Sequence, residues 1–297
     1  NEVKAAKAEG ERLVDFEGVE IKAREIEAIK EIWAEICDYQ VKNAKKLKKL
    51  NKRGLGYEIK TIDKLEDFFT QGFRIVDGEV ETVYLQSYGL TDLPKGILKF
   101  FGLKVLSLNN NLLENVDGLK ELDELEVLDV CRNKLSAFGE ILAMKHLRSL
   151  AVNRNQISDL TGIEQLTDLE GFSACENGIT DVSPLGKAIQ LKELSLGRNK
   201  IENIDVLGEL KNIEDLGLRE NRIIDISVLG KLPRLKFLDL KWNKIEHFEP
   251  LFSMPKLEAV SIFENPVMNK RFGKGRKKVD EIIRRLVKDN NIRVTDN

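Results

Sequence analysis

Cysteine is scarce in this chain: Cys37, Cys131 and Cys175 are the only three in 297 residues. So thin and odd a set excludes a disulfide scaffold and points to a reducing compartment. Histidine is rarer still, with His146 and His247 alone. Neither has acids converging on it, so the clustered ligands a metal site needs are missing. No G-x-x-x-x-G-K-S/T phosphate cradle occurs, and Gly273-Lys274-Gly275-Arg276 reads as a solvated basic loop. An enzyme is therefore not expected, and neither a cofactor nor a metal is. Long apolar runs are absent too, so no membrane span is expected. No Asn-x-Ser/Thr sequon is present. Charge of one sign is also lacking: the net is −2, which excludes a global polyelectrolyte and makes nucleic acid an unexpected partner. The first ten residues are polar and charged rather than signal-like; a leader removed before Asn1 is left open.

What is abundant is order at one period. Asn111, Asn133, Asn155, Asn177, Asn199, Asn221, Asn243 and Asn265 recur every 22 residues. Each closes the pattern L-x-x-L-x-L-x-x-N-x-L, as in Leu191, Leu194, Leu196, Asn199, Ile201 and again in Ile213, Leu216, Leu218, Asn221, Ile223. A degenerate first copy reads Val80, Val83, Leu85, Tyr88, Leu90. The L-x-L core alternates with period two, the signature of a short strand. Strands that recur in the same direction are parallel, and each repeat buries its apolar row only against its neighbours. The asparagine, with a donor and an acceptor, is expected to satisfy backbone groups in the turns, a structural role.

The other half of each repeat, as in Ile204, Leu207, Leu210, has a three-residue apolar spacing that suits 3₁₀ turns. The row Asp117, Gly139, Thr161, Ser183, Asp205, Ser227, Glu249 mostly holds residue types that can cap such turns. Pro184 and Pro250 follow two of them, at the first-turn position where proline is tolerated. Cys131 and Cys175 share a repeat position two repeats apart. At about 4.8 Å per strand they stand about 10 Å from each other, too far for a disulfide, so free thiols are expected.

These residues resemble the leucine-rich repeat family, in the 22-residue subclass that includes phosphatase-1 regulatory subunits and the bacterial internalins. The resemblance covers about residues 80–267. It implies an α/β fold: a right-handed solenoid, or horseshoe, with a concave parallel sheet and convex 3₁₀ or short helical turns. It implies no particular partner.

A solenoid needs caps at its ends. In residues 1–79, Ile26, Ile29, Ile32, Trp33 and Ile36 form one helical stripe, Val41, Ala44, Leu47 and Leu50 a second, and Ile62, Leu65, Phe68 and Phe69 a third. Asp77-Gly78 is a hairpin-type turn into the first repeat. In residues 268–297, Val279, Ile282, Ile283, Leu286 and Val287 predict an amphipathic helix. The organisation expected is thus an N-terminal helical cap (1–79), about nine repeats (80–267) and a C-terminal helical cap (268–297). Asn265-Pro266 before a basic helix resembles the C-terminal cap of cytosolic family members, and the cysteine-clustered flanks usual in extracellular members are missing. A cytoplasmic location is therefore expected.

The concave face is where a protein partner is expected. Its middle row is mostly small: Tyr84, Ser107, Asp129, Ala151, Ser173, Ser195, Gly217, Asp239, Ser261. The residue before each asparagine is mostly charged, with mixed sign: Asn110, Arg132, Arg154, Glu176, Arg198, Glu220, Trp242, Glu264. Phe237, Trp242 and Phe263 fall at concave positions of the last two repeats, with Arg219, Lys241 and Asp239 alongside and Asp215, Glu193 and Arg198 near by. Exposed aromatics beside arginine have the composition of a binding hot spot; a solvated face, or one covered by the C-terminal cap, is the alternative. The types resemble the aromatic and acidic concave residues with which phosphatase-regulating relatives grip their partner.

Two basic segments complete the inventory. Residues 40–60 hold eight Lys/Arg against one acid, and residues 268–288 hold nine against two. They read as solvated helix faces, with an anionic nucleic-acid or membrane surface as the alternative. Aromatic interleaving is poor, with only Tyr57 and Phe272. The reading is a monomeric, non-enzymatic adaptor that binds a protein on its concave sheet, possible targets being a phosphatase or small GTPase by family analogy. A secreted internalin-like adhesin is a further alternative.

Overall fold

The computed structural model describes residues 12–16, 18–52, 64–268 and 274–295. Ile62, Tyr57, Phe272 and Gly273, named above, lie outside these residues, and so do the side chains of Leu47 and Leu50. Two compact units divide the chain, Asn1–Leu147 and Arg148–Asn297. A repeat contacts only its neighbours, so a stack of repeats groups by proximity and each unit takes a cap with the repeats next to it.

The first unit opens with an antiparallel hairpin, β1 (Leu13–Phe16) and β2 (Val19–Lys22), around Gly18, whose φ is +78°. The 30-residue helix α1 (Ala23–Lys52) follows directly. Here the sequence reading is corrected: the stripes at 26–36 and 41–50 belong to one helix, not two. Ile26, Ile29, Ile32 and Ile36 are buried, so the first stripe packs, while Val41 of the second is 78% exposed. The buried face lies against the 3₁₀ turn Lys95–Lys99. Gly96 permits that approach, since a Cβ there would stand 2.6 Å from the Ala28 carbonyl oxygen.

A short helix, α2 (Leu65–Gly72), buries Phe68 and Phe69 and leads into β3 (Phe73–Val76). The expected turn is present: Asp77 and Gly78 both have positive φ and join β3 to β4 (Glu79–Tyr84) in a hairpin. The N-terminal cap is therefore helical and stranded together. Parallel pairing then begins, from β4 to β5 (Val105–Ser107) and from β5 to β6 (Val127–Asp129). In the degenerate first repeat Tyr88 replaces asparagine and is 2% exposed. Its ring meets Phe68 at 5.8 Å, and burial pushes its hydroxyl up to about 12.

The second unit is a run of parallel strands: β7 (Ser149–Ala151), β8 (Gly171–Ser173), β9 (Glu193–Ser195), β10 (Asp215–Gly217), β11 (Phe237–Asp239) and β12 (Ala259–Ser261). The middle residues Leu150, Phe172, Leu194, Leu216, Leu238 and Val260 are all buried. Opposite the strands run 3₁₀ turns such as Ser183–Lys187, Asp205–Glu209, Ser227–Lys231 and Glu249–Ser253. Ile204, Leu207 and Leu210 fill the space between the two faces, each 1% exposed.

The capping residues lie two positions earlier than the sequence suggests. Ser183, Asp205 and Ser227 are the first turn residues, and the residues before them make no side-chain cap. Instead Asp181, Asn203 and Asp225 accept the backbone N–H two residues on, at 2.8, 2.7 and 2.7 Å. These are Asx turns, which compete well with a conventional cap in a helix of one turn. In the last repeat His247 holds that position, with Nδ1 3.7 Å from Glu249.

The C-terminal helix α3 (Lys274–Arg284) continues as a π turn over Arg285–Asp289. Val279, Ile282 and Leu286 are buried, but Val287 is 43% exposed because the wider π turn rotates it off the stripe. A last strand, β13 (Arg293–Val294), extends the sheet parallel to β12; nothing in the sequence reading anticipated it. All three cysteines are thiols. No helix among the described residues is long and apolar enough to cross a membrane.

Candidate functional site

The asparagine ladder carries the geometry on which the site rests. Asn221 shows the pattern. Its Oδ1 accepts from Ile201 N at 3.1 Å, and its Nδ2 donates to Leu196 O and Leu218 O at 3.0 Å each. Asn199, Asn243 and Asn265 repeat these contacts one repeat at a time. A buried amide thus closes the turns of two successive repeats, as the sequence led us to expect.

The residue before each asparagine pays for that placement in conformation. From Asn110 to Glu264 all eight have φ between 54° and 59°, and none is glycine. A left-handed residue costs about 1–2 kcal/mol. The reason is the turn itself: the chain must leave the strand, point the next side chain inward and still pair its own amide with the adjacent repeat. So Arg198 N donates to Arg219 O at 2.8 Å and Glu220 N to Lys241 O at 2.7 Å. The side chain before the asparagine is consequently thrown outward, beside the sheet face.

In the second unit this outward row is a ladder of ions. Arg154 pairs with Glu176 at 2.9 Å, Glu176 with Arg198 at 3.2 Å, and Arg198 with Glu220 at 2.8 Å. Burial alone would raise the Glu176 carboxyl, but the guanidinium groups on either side hold it below the ordinary range. A second ladder runs at the other end of the strands. Arg148, Glu170 and Lys192 pair in sequence at 2.8 and 2.7 Å, and Glu214 pairs with Lys236 at 2.6 Å. Hydrogen bonds from Lys192 and Arg148 lower the Glu170 carboxyl. The sequence reading missed both ladders as pairings, although alternation of sign at a 22-residue spacing is readable in the sequence.

Where the ladders stop, the sheet face changes character. Trp242 occupies the next outward position after Glu220 and is 55% exposed. Phe237, on β11, is 40% exposed; its strand neighbours in register are Asp215 and Ala259. The described residues of the C-terminal cap leave both rings open. Asp215 lies beside Glu193 in the β9–β10 register. Among the described residues the side chains of Glu193, Asp215, Arg219 and Glu264 make no hydrogen bond or ion pair. Burial raises the Asp215 carboxyl, and the charges of Glu193 and Asp239 raise it further. Arg219 lies across the space left by Gly197, where a Cβ would stand 3.0 Å from Arg219 Cγ.

Three of the nine candidate residues sit otherwise than expected. Lys241 is buried, 9% exposed, and its backbone amide donates to Asp239 Oδ1 at 3.1 Å. Phe263 is half-buried, its carbonyl receiving Trp242 N at 3.3 Å. Arg198 is exposed but engaged twice in the outward ladder. The structure brings Glu193, Asp215, Phe237, Asp239, Arg219 and Trp242 to the sheet face of β9–β11 and the turns that follow. Among the described residues no group of three or more His, Cys, Asp or Glu is placed to hold a metal ion.

Comparison with known proteins matches residues 189–245 to the leucine-rich repeat model. No curated protein matches the chain. Among solved structures, the fold is similar to internalin C2 of Listeria monocytogenes, with 30% identity, a TM-score of 0.59, and coverage of 62% of this chain and 80% of that one. It is similar to a second Listeria internalin at 30% identity and TM-score 0.53, covering 56% of this chain and 49% of that one. A leucine-rich repeat protein of Leptospira interrogans aligns at 28% identity and TM-score 0.64, covering 72% of this chain and 54% of that one. The chain thus spans about half the length of the latter two.

Proposed function

Since the chain belongs to the leucine-rich repeat family, we propose that it is a non-enzymatic interaction module that binds a protein partner on the sheet face of its second unit. The observation that carries this reading is the pair of open rings, Phe237 and Trp242, beside carboxylates and a guanidinium that make no hydrogen bond or ion pair among the described residues. Large exposed aromatics in an otherwise self-neutralised surface mark interaction sites, and Trp and Arg dominate measured hot spots. Trp242 also holds a left-handed backbone conformation, φ 59°, a costly place for a bulky side chain.

Affinity capture from source cells with wild type and Trp242→Ala side by side tests the assignment. A cognate partner should lose about 2 kcal/mol or more of binding free energy with the variant. A partner retained equally by both removes Trp242 from the site.

We place this module in the cytoplasm as a monomeric adaptor, on the strength of its sparse thiols and basic C-terminal helix, with a phosphatase or small GTPase as the class of target. A second reading has its own support: two internalins are 30% identical to this chain, which favours an adhesin presented outside the cell. Protease shaving of intact source cells separates the two, since only a surface protein is lost.

A further inference from the structure

The sheet face of the first unit carries a different kind of site. A depression of about 510 Å³ is lined by Tyr84, Gln86, Ser87, Ser107, Asn109, Asn110, Asp129 and Arg132. Its floor is set by register: Tyr84, Ser107 and Asp129 lie side by side on β4, β5 and β6. Ser87, Asn110 and Arg132 line the rim, each with positive φ, so their side chains are thrown outward as in the other repeats.

Some of these groups are fixed and others are uncommitted. Asp129 Oδ1 accepts from Cys131 N at 2.9 Å, and its Oδ2 from Asn109 Nδ2 at 3.0 Å and Ser107 Oγ at 3.3 Å. That carboxylate is therefore held in one orientation. Asn110 Nδ2 donates to Ser87 Oγ at 2.7 Å, while its Oδ1 is buried with no hydrogen-bond partner. An acceptor left so carries an uncompensated desolvation cost, which a donated hydroxyl would offset after a small rotation of the amide about its soft terminal torsion. Among the described residues the Gln86 amide, the Tyr84 hydroxyl and the Arg132 guanidinium make no hydrogen bond or ion pair. Tyr84 is 42% exposed, an open ring beside these groups.

We propose that this depression binds a neutral saccharide. One carboxylate and one guanidinium leave the lining without net charge, which selects against a strongly ionic ligand. Planar amides, a fixed carboxylate and a guanidinium supply the paired donors and acceptors that vicinal hydroxyls need. The Tyr84 ring supplies an apolar platform with a polar tip, the complement of a pyranose, which has an apolar C–H face and a polar rim. A shallow, solvated depression suits a ligand that keeps much of its own hydration. The inference stands independently of the protein partner assigned to the second unit.

Saturation-transfer difference NMR on the full chain tests it, with maltotriose, cellotriose, chitotriose and lactose as probes at about 10 mM, matched to dissociation constants on the order of 1 mM. At least one probe should show transfer concentrated on ring C–H protons. Tyr84→Ala should abolish that transfer, Tyr84→Phe should retain most of it, and Gln86→Ala should weaken the affinity several-fold. Ile224→Ser, an exposed apolar site on the other unit, should leave it unchanged, and the circular dichroism of each variant reports folding. Absence of transfer from all four probes with wild type, or transfer undiminished in folded Tyr84→Ala, overturns the proposal.

Discussion

In the last full repeats, the asparagine and the residue just before it are chain neighbours with opposite fates. Asn199, Asn221 and Asn243 are 8, 8 and 6% exposed and spend their amides on backbone groups of two repeats. Arg198, Glu220 and Trp242 stand outside, in a strained conformation, and vary freely in type. The first row is what makes the repeats stack. The second is where a stack acquires individuality, because nothing in the backbone requires any particular side chain there. In its paired stretch the outer row neutralises itself from Arg154 to Glu220; at Trp242 it stops doing so.

The comparison is broken most severely at the inner row. Asn221→Leu deprives buried donors and acceptors in two turns of their partners. It should cost about 3 kcal/mol or more, read as a lower urea midpoint. A cost below about 1 kcal/mol would show that water replaces the amide. At the outer row the expected sign reverses. Trp242→Arg places a guanidinium between Glu220 and Glu264, continuing the alternation. Exposed pairs contribute about 0.2–1 kcal/mol, so the midpoint should hold or rise by that much with unchanged slope, while capture of the partner is lost. A clear fall in midpoint would make Trp242 a packing residue instead.

Most of the inner row was legible in the sequence, because period, residue type and burial agree there: Asn221 and Leu216 have one physical solution each. The 3₁₀ turns were legible from Ile204, Leu207 and Leu210 for the same reason. The Asx turns at Asp181 and Asp225 were not, since several polar residues in each turn had the chemistry to cap and only backbone geometry chooses among them. Strand β13 escaped because two residues, Arg293 and Val294, are too few to show a period. The N-terminal helix shows as two stripes in the sequence because the three- and four-residue apolar spacing breaks between Ile36 and Val41, although the backbone runs on as one helix. Of the candidate face, the row assignments came from the repeat, but the burial of Lys241 and the double pairing of Arg198 depend on where the chain bends away from each strand.

A smaller effect separates paired from unpaired within the outer row. Arg198→Ala removes two exposed ion pairs and should cost at most about 1 kcal/mol in dilute buffer. The difference from wild type should shrink in 1 M salt, where the screening length is about 3 Å. A cost that persists undiminished in salt would mean that the arginine stem, not its charge, holds the turn.

The finest distinction is in pH. Glu176 is held below its ordinary value of 4.5 by Arg154 and Arg198, whereas Asp215 is raised above 3.8 by burial and by its acidic neighbours. Linkage gives the two opposite signs. A carboxyl lowered in the fold binds protons more tightly in the unfolded chain, so its contribution is present above about pH 4.5 and is lost as pH falls through the folded value. A carboxyl raised in the fold binds protons more tightly when folded. Its penalty is absent below about pH 3.8 and grows as pH rises through the raised value. Glu176→Gln should therefore destabilise at pH 7 and make little difference in acid, while Asp215→Asn should stabilise at pH 7 and also lose its effect in acid. Midpoints of urea unfolding for both variants between pH 3 and 7 check this. If both change stability with the same sign at neutral pH, the division of this face into self-satisfied and partner-seeking charges fails.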